Sequence, residues 1–236
     1  MNLKPTEEFL SMCRDRGVEF AEGELERLGA YLSLLLATNE QFNLTAVTDP
    51  AQAWVRHVFD SLTLFPVINE TLEDGASIID VGSGGGLPGV VLAIVMPTMS
   101  MTLLEATGKK AAFLRKVAED LKIPNIAVVE ERAEKAGQSQ QHREMYDAAV
   151  ARAVGPMSVI AELTVPWVKP EGRVFLIKGQ KAEEELAAAK KALHCLHVHH
   201  ETTIDTPTGK IVVLDKRRKT PAQYPRRDGE PKRMPL

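Results

Sequence analysis

Ten residues, Asp80-Val81-Gly82-Ser83-Gly84-Gly85-Gly86-Leu87-Pro88-Gly89, hold the densest signal for chemistry in this chain of 236 residues. They follow the apolar run Ser77-Ile78-Ile79 and precede Val90-Val91-Leu92-Ala93-Ile94, a pattern of strand, glycine-rich turn and helix. Glycine suits the turn because the backbone must reverse with positive φ and let a ligand approach where a Cβ would stand. Pro88 suits a first helical turn. Dinucleotide sites and P-loops use glycine too, so the turn alone is a weak signal. Here the G-x-G-x-x-G spacing would need glycine where Leu87 stands, and the Gly-Lys-Ser/Thr of a P-loop is absent. Glu105 ends the next apolar run, 23 residues beyond Gly82, where a carboxylate can accept both ribose hydroxyls of a nucleoside. Gly82, Gly84 and Glu105 together define a nucleoside site more strongly than either part does.

Other polar groups carry two readings each. His57, between Arg56 and Asp60 on a presumed helix, could pair with the carboxylate at i+3 and aim a ring nitrogen into a site, or could brace the structure. Asn39 and Asn43 could bond base edges or cap a loop between two helices. Cys13 and Cys195 are far apart and show no CxxC spacing, so both read as packing residues. His194, His197, His199 and His200 cluster, but strand alternation sends neighbours to opposite faces and no Cys or carboxylate completes a ligand set. No metal site is expected.

The elements that must position these groups follow from periodicity. Leu25, Leu28, Leu32, Leu35 and Leu36 recur at helical spacing, and Thr6 before acidic residues marks an earlier helix start, so the first 70 or so residues read as helical. From Ala76 short apolar runs at 76–81, 101–105, 126–129, 148–150 and 174–177 alternate with amphipathic stretches, as βαβ units with a parallel sheet would. Residues 108–121 put Phe113, Leu114, Val117 and Leu121 on one face, and a second covering helix is expected over 181–193. A Thr-Pro-Thr-Gly segment separates 196–204 from 210–214; so short a turn joins antiparallel strands. The expected fold is a doubly wound α/β sheet, mostly parallel with a C-terminal antiparallel hairpin. It divides into a helical region over 1–75, a nucleoside-binding domain over 76–215 and a basic tail over 216–236.

A chain with 44% hydrophobic and 26% charged residues can bury a full core. No apolar run reaches the roughly 18 to 20 residues of a membrane span, and the N-terminus lacks a basic then apolar signal, so a cytoplasmic protein is expected. The net charge of −3 is unevenly spread. Residues 1–75 carry 5 Lys/Arg against 13 Asp/Glu, whereas residues 216–233 alone hold eight Lys/Arg against Asp228 and Glu230. The tail and the Lys109/Lys110 helix start could hold phosphate, or the tail could be a solvated loop or dock onto the domain.

With these motifs in hand, the sequence resembles the bacterial glucose-inhibited division protein B family, 16S ribosomal RNA guanine-N7 methyltransferases. The resemblance rests on Asn39-x-x-x-Asn43-Leu44-Thr45, Arg56-His57-x-x-Asp60-Ser61-Leu62 and the glycine-rich turn. It continues through Leu104-Glu105-Ala106-x-x-Lys109-Lys110-x-x-Phe113-Leu114, Ala151-Arg152-Ala153, Lys178-Gly179 and Pro225-Arg226-x-x-Gly229-x-Pro231. It implies a class I, Rossmann-like methyltransferase with S-adenosyl-L-methionine as cofactor. Gly82 and Leu87 would line the cofactor pocket, Ala133 and Glu134 would bracket the adenine, and Arg152 would belong to the same site. Glu105 stands where many relatives have Asp, and Gly85 occupies a variable position of the turn. The implied partner is 16S ribosomal RNA or the 30S particle, met by a monomer.

The residues also narrow the methyl acceptor. No Asn/Asp-Pro-Pro-Tyr/Phe turn is present to accept from an amine, and neither cysteine follows a proline as a cytosine-C5 nucleophile would. A ring nitrogen remains, and guanine N7 offers a free lone pair with no proton to remove. Arg152, Lys178 and Arg226 are the side chains suited to donate to that base edge. The target base must leave its stack, so a loop or single-stranded RNA segment is the expected substrate. Two other readings stay open: a methyltransferase of this fold acting on a small molecule or protein, and a non-catalytic RNA-binding assembly factor.

Overall fold

A computed structural model describes residues 2–152 and 155–236; Ala153, in the Ala151-Arg152-Ala153 motif, lies outside the described residues. Thr6 opens α1 (Glu7–Arg14) by accepting the Phe9 amide on its hydroxyl. α2 (Glu24–Asn39) turns Leu28, Tyr31, Leu32 and Leu35 inward. α3 (Pro50–Ala53) runs into a π-helical turn, Trp54–Phe59, and then into α4 (Asp60–Leu62) and α5 (Leu64–Thr71). The alternating part follows: β1 (Ser77–Val81), α6 (Gly89–Val95), β2 (Ser100–Leu104), α7 (Gly108–Asp120), β3 (Ile126–Val129), α8 (Ala133–Ala136), β4 (Tyr146–Arg152) and α9 (Met157–Thr164). After β5 (Val168–Lys178) come α10 (Ala182–Ala188), α11 (Lys190–Leu196), β6 (Val198–Thr206), β7 (Gly209–Lys216) and α12 (Glu230–Arg233).

Among the described residues seven strands lie in the order β3-β2-β1-β4-β5-β7-β6. All pairs are parallel except β5 with β7 and β7 with β6, the hairpin expected at the C-terminal edge. Strand order reverses between β1 and β4, and the crevice outside the carboxyl ends there is where open α/β sheets hold ligands. Alternation along β1 feeds two cores: Ile78 joins the one built by α1, α2, α6 and α7, whereas Ile79 and Val81 join the one built by α9, α10 and α11. Phe9, Tyr31, Trp54 and Phe59 share the first core with Val90 and Leu114, so the N-terminal helices cover one sheet face together with α6 and α7.

Three boundaries differ from the sequence reading. β4 and β5 run well beyond 148–150 and 174–177, because paired polar residues extend them: Ala148 pairs with Arg173, and the Asp147 carboxylate accepts the Ser77 amide and hydroxyl. The helix expected over 181–193 is two helices broken at Ala189. Of the clustered histidines only His199 and His200 lie on edge strand β6; His194 is in α11 and His197 adopts a left-handed link.

The tail docks. Lys216, the last residue of β7, is wholly buried, with its ammonium held by Glu144 and the carbonyls of Val165 and Val168. The Arg143 guanidinium donates to the carbonyls of Thr220, Pro221 and Tyr224, and the Gln138 amide to those of Ala222 and Pro225. Among the described residues no helix is long and apolar enough to cross a membrane, and no group of three or more His, Cys, Asp or Glu could hold a metal ion.

Candidate active site

Two cavities open at the carboxyl edge of the sheet, one on each side of the reversal in strand order. The first, about 230 Å³, is lined by Val81 and Gly82 after β1, Leu104, Glu105 and Ala106 after β2, Glu131 to Glu134 after β3, Val159 and Leu163 of α9, and Gly229, Pro231 and Lys232 of the tail. Gly82 (φ 78°) is exposed toward it, so the backbone itself forms that wall. Glu105 is buried, its carboxylate oriented from two sides: Oε2 accepts the Gly84 amide at 3.0 Å and Oε1 the Thr107 amide at 2.7 Å. The remaining lone pairs can take two neighbouring hydroxyls, and the apolar wall of Val81, Leu104, Val159 and Leu163 suits a flat heterocycle. These residues fit a purine nucleoside.

Beneath the turn, the helices fix the glycines as strictly as a ligand would. A Cβ on Gly85 would stand 2.8 Å from Leu35 Cδ1, and one on Gly86 (φ 98°) 2.6 Å from Val90 Cγ2. Tyr31 donates its hydroxyl to the Gly85 carbonyl at 2.7 Å, and burial pushes that phenol well above its ordinary range. Asp80 accepts the Gly89 amide at 3.0 Å on Oδ2, while its Oδ1 has no partner among the described residues; burial raises this carboxyl to about 7. Leu87 packs into the core on the helical side rather than onto the cavity wall.

The second cavity, about 380 Å³, is lined by Thr45, Ala46 and Val47, Arg56, His57 and Asp60, Arg152, Ile177, Lys178, Gly179 and Thr208. β1 and β4 pair Asp80 with Val150, so Gly82 of the first cavity and Arg152 of the second each follow, two residues on, the carboxyl ends of neighbouring strands. The Arg152 guanidinium donates from Nη1 to the Arg56 carbonyl at 2.8 Å and to Asp60 Oδ2 at 3.1 Å, and its Nη2 lies 3.5 Å from His57 Nδ1. Asp60 Oδ1 accepts the Thr208 hydroxyl from the hairpin turn.

His57 therefore does not pair with Asp60 as the i+3 spacing suggested. The π-helical turn shifts the angular offset between them, and Arg152 stands where the pair would meet. The other ring nitrogen, Nε2, lies 2.7 Å from Thr45 Oγ1, which also accepts the Val47 amide. Burial, reinforced by the Arg152 charge, lowers His57 to about 4, so the ring is neutral at physiological pH.

The remaining sequence candidates divide between the two cavities and positions outside their linings. Asn39 holds the loop behind the cavity, its Oδ1 accepting the amides of Leu44 and Thr45. Lys178 lines the cavity, but its ammonium donates to the Gly155 carbonyl at 2.8 Å and forms a 2.6 Å ion pair with Glu185. Arg226 lines neither cavity; its guanidinium and amide grip the fully buried Glu162 of α9. Ala133 and Glu134 do line the first cavity, although Glu134 Oε1 accepts the Gly229 amide. Sequence reasoning passed over Thr208, whose turn carries no chemical signal, and Asp60 and Arg56, which it quoted without choosing.

This sheet order with a glycine turn and acidic strand end defines a class I methyltransferase fold. Solved structures agree: a mutant of MtNAS in complex with S-adenosylmethionine superposes with TM-score 0.56 at 15% identity over 90% of this chain and 89% of that one. A Methanococcus maripaludis structure described as an S-adenosyl-L-methionine-dependent methyltransferase gives 0.55 at 14% identity, covering 68% of this chain and 86% of that one. The family model of rRNA small subunit methyltransferase G matches residues 24–212, and the chain belongs to that family. The ribosomal RNA small subunit methyltransferase G of Sorangium cellulosum is 48% identical over 95% of this chain and 93% of its own, and that of Leuconostoc citreum 38% over 98% of each.

Proposed function

We propose that this protein transfers a methyl group from S-adenosyl-L-methionine to N7 of a guanine in 16S ribosomal RNA, acting in the cytoplasm. The observation that carries the reading is the pair of cavities at the carboxyl ends of the neighbouring strands β1 and β4, one lined by Gly82 and Glu105 and suited to a nucleoside, the other lined by Arg56, Arg152 and Lys178. When bound, the cofactor supplies an electrophilic methyl on a sulfonium and its own leaving group. Gly82 gives it backbone to lie on, Glu105 is oriented for its ribose hydroxyls, and Ala133 borders the heterocycle.

The protein's remaining task is to hold the nucleophile in line. N7 carries a lone pair and no proton, so no side chain need act as base, and a neutral His57 suits that requirement. Arg152 and Arg56 border the cavity as donors for O6 of the purine, which gains positive charge as the methyl arrives. His57, Thr45 and Asp60 fix Arg152; Lys178 ties the cavity to Gly155 and α10; Asn39 shapes the loop that carries Thr45.

The test is transfer of labelled methyl from S-adenosyl-L-methionine to 30S particles, naked 16S RNA and cell protein, followed by nucleoside analysis. Label recovered as 7-methylguanosine from 16S RNA is the expected result. Label in protein or small molecules, in another nucleoside, or nowhere contradicts the proposal.

A further inference from the structure

The tail that carries the strongest local charge excess does not end in solvent: its last ordered turn closes one side of the nucleoside cavity. Residues 216–226 form a fixed root, held by buried Lys216, by the Arg143 and Gln138 donors and by the Arg226 grip on Glu162. Residues 227–236 are tied differently. Gly229 donates its amide to Glu134 Oε1 at 2.9 Å, and Pro231 is buried. The Arg132 and Asp228 pair is 3.8 Å apart with both side chains about 60% exposed, and Lys232, Arg233 and Met234 are exposed. An exposed pair of that kind contributes little, whereas charged groups buried with full sets of partners are costly to undo. The segment is thus a strap whose root is held by buried charged groups and whose tip, held by the Gly229 amide, buried Pro231, the 3.7 Å pair of Glu230 with Arg226 and the packing of Leu236 on the second core, borders the cavity.

We propose that residues 229–232 are a closing wall of the cofactor site, seated by the bound nucleoside and lifted for its exchange. The inference rests on the cofactor assignment above. Gly229, Pro231 and Lys232 face a cavity whose other sides are the Gly82 backbone, Glu105, Ala133 and the apolar Val159 and Leu163. The proline ring and the lysine stem add an apolar surface suited to a purine face. Glu134 is then a positioning residue, acting on the ligand through the Gly229 amide it holds.

Hydrogen exchange of the full-length protein, with and without saturating S-adenosylhomocysteine, tests this directly. The expected result is that ligand slows exchange over residues 229–234 by about tenfold or more while residues 216–226 stay protected in both states. In parallel, full-length Pro231→Gly and Lys232→Ala variants are titrated with the same ligand by calorimetry. Pro231→Gly is expected to weaken binding about tenfold, chiefly through faster dissociation, at a temperature where circular dichroism shows the ligand-free variant fully folded. Ligand that binds the wild type yet leaves tip exchange unaltered, or binds Pro231→Gly as tightly as wild type, overturns the strap while leaving the cofactor assignment intact. No binding to the wild type overturns the cofactor assignment itself.

Discussion

Arg152 serves three partners at once, the Arg56 carbonyl, the Asp60 carboxylate and the His57 ring, and only a planar fork reaches all three. Arg152→Lys keeps the charge and loses the fork, so single-turnover methyl transfer is expected to fall about 100-fold, with the fold retained by circular dichroism. Glu105→Ala removes an acceptor oriented by two amides; affinity for S-adenosylhomocysteine is expected to drop tenfold or more by calorimetry, as charged hydrogen bonds to two hydroxyls require. His57 gives a pH signature. Its folded value of about 4 lies below the ordinary 6.5, so as pH falls from 6.5 to 4 the unfolded chain takes up a proton that the native state refuses. The stability this group preserves is complete above 6.5 and is lost on acidification, by about 3 kcal/mol. Asp80 runs the opposite way, being raised to about 7, but it is common to wild type and His57→Gln and cancels in their difference. Urea unfolding of both proteins at pH 7 and pH 4.5 is expected to show His57→Gln gaining on wild type at the lower pH.

At the scale of elements, the β1 turn was legible because glycine spacing, flanking apolar runs and Glu105 are all local signals. The hairpin was legible for the same reason. What was not legible arises between elements far apart in sequence. The π-helical turn that turns His57 away from Asp60 leaves no mark on an i+3 pattern, and Thr208 reaches Asp60 across 148 positions. The same holds for the tail: composition left open whether it holds phosphate, stays solvated or docks, and packing ties Lys216 to Glu144 and Arg226 to Glu162. The packing of α2 on the turn makes Gly86 a sharp probe. Gly86→Val would place a branched side chain at φ 98° within 2.6 Å of Val90, and a loss of about 3 kcal/mol or outright failure to fold is expected from denaturant melts.

Across the whole molecule, charge is segregated: residues 1–75 carry 13 acidic against 5 basic groups, while the cations left exposed by docking of the tail are Arg217, Arg218, Lys219, Arg227, Lys232 and Arg233. If these meet RNA phosphates, affinity falls with salt, and neutralising Arg227 is expected to make the slope of log K against log salt shallower by about 0.7. An unchanged slope would place the RNA elsewhere. The central claim, that N7 of a 16S guanine receives the methyl, is tested most directly by the chemistry of the product. Methylation at N7 makes the ring cationic, so borohydride reduces it, the base is lost from its ribose, and aniline then cleaves the chain at the abasic site. 16S RNA from cells with the intact gene should break at one guanosine, and RNA from cells lacking the gene should not. Identical cleavage patterns from the two strains would contradict the account.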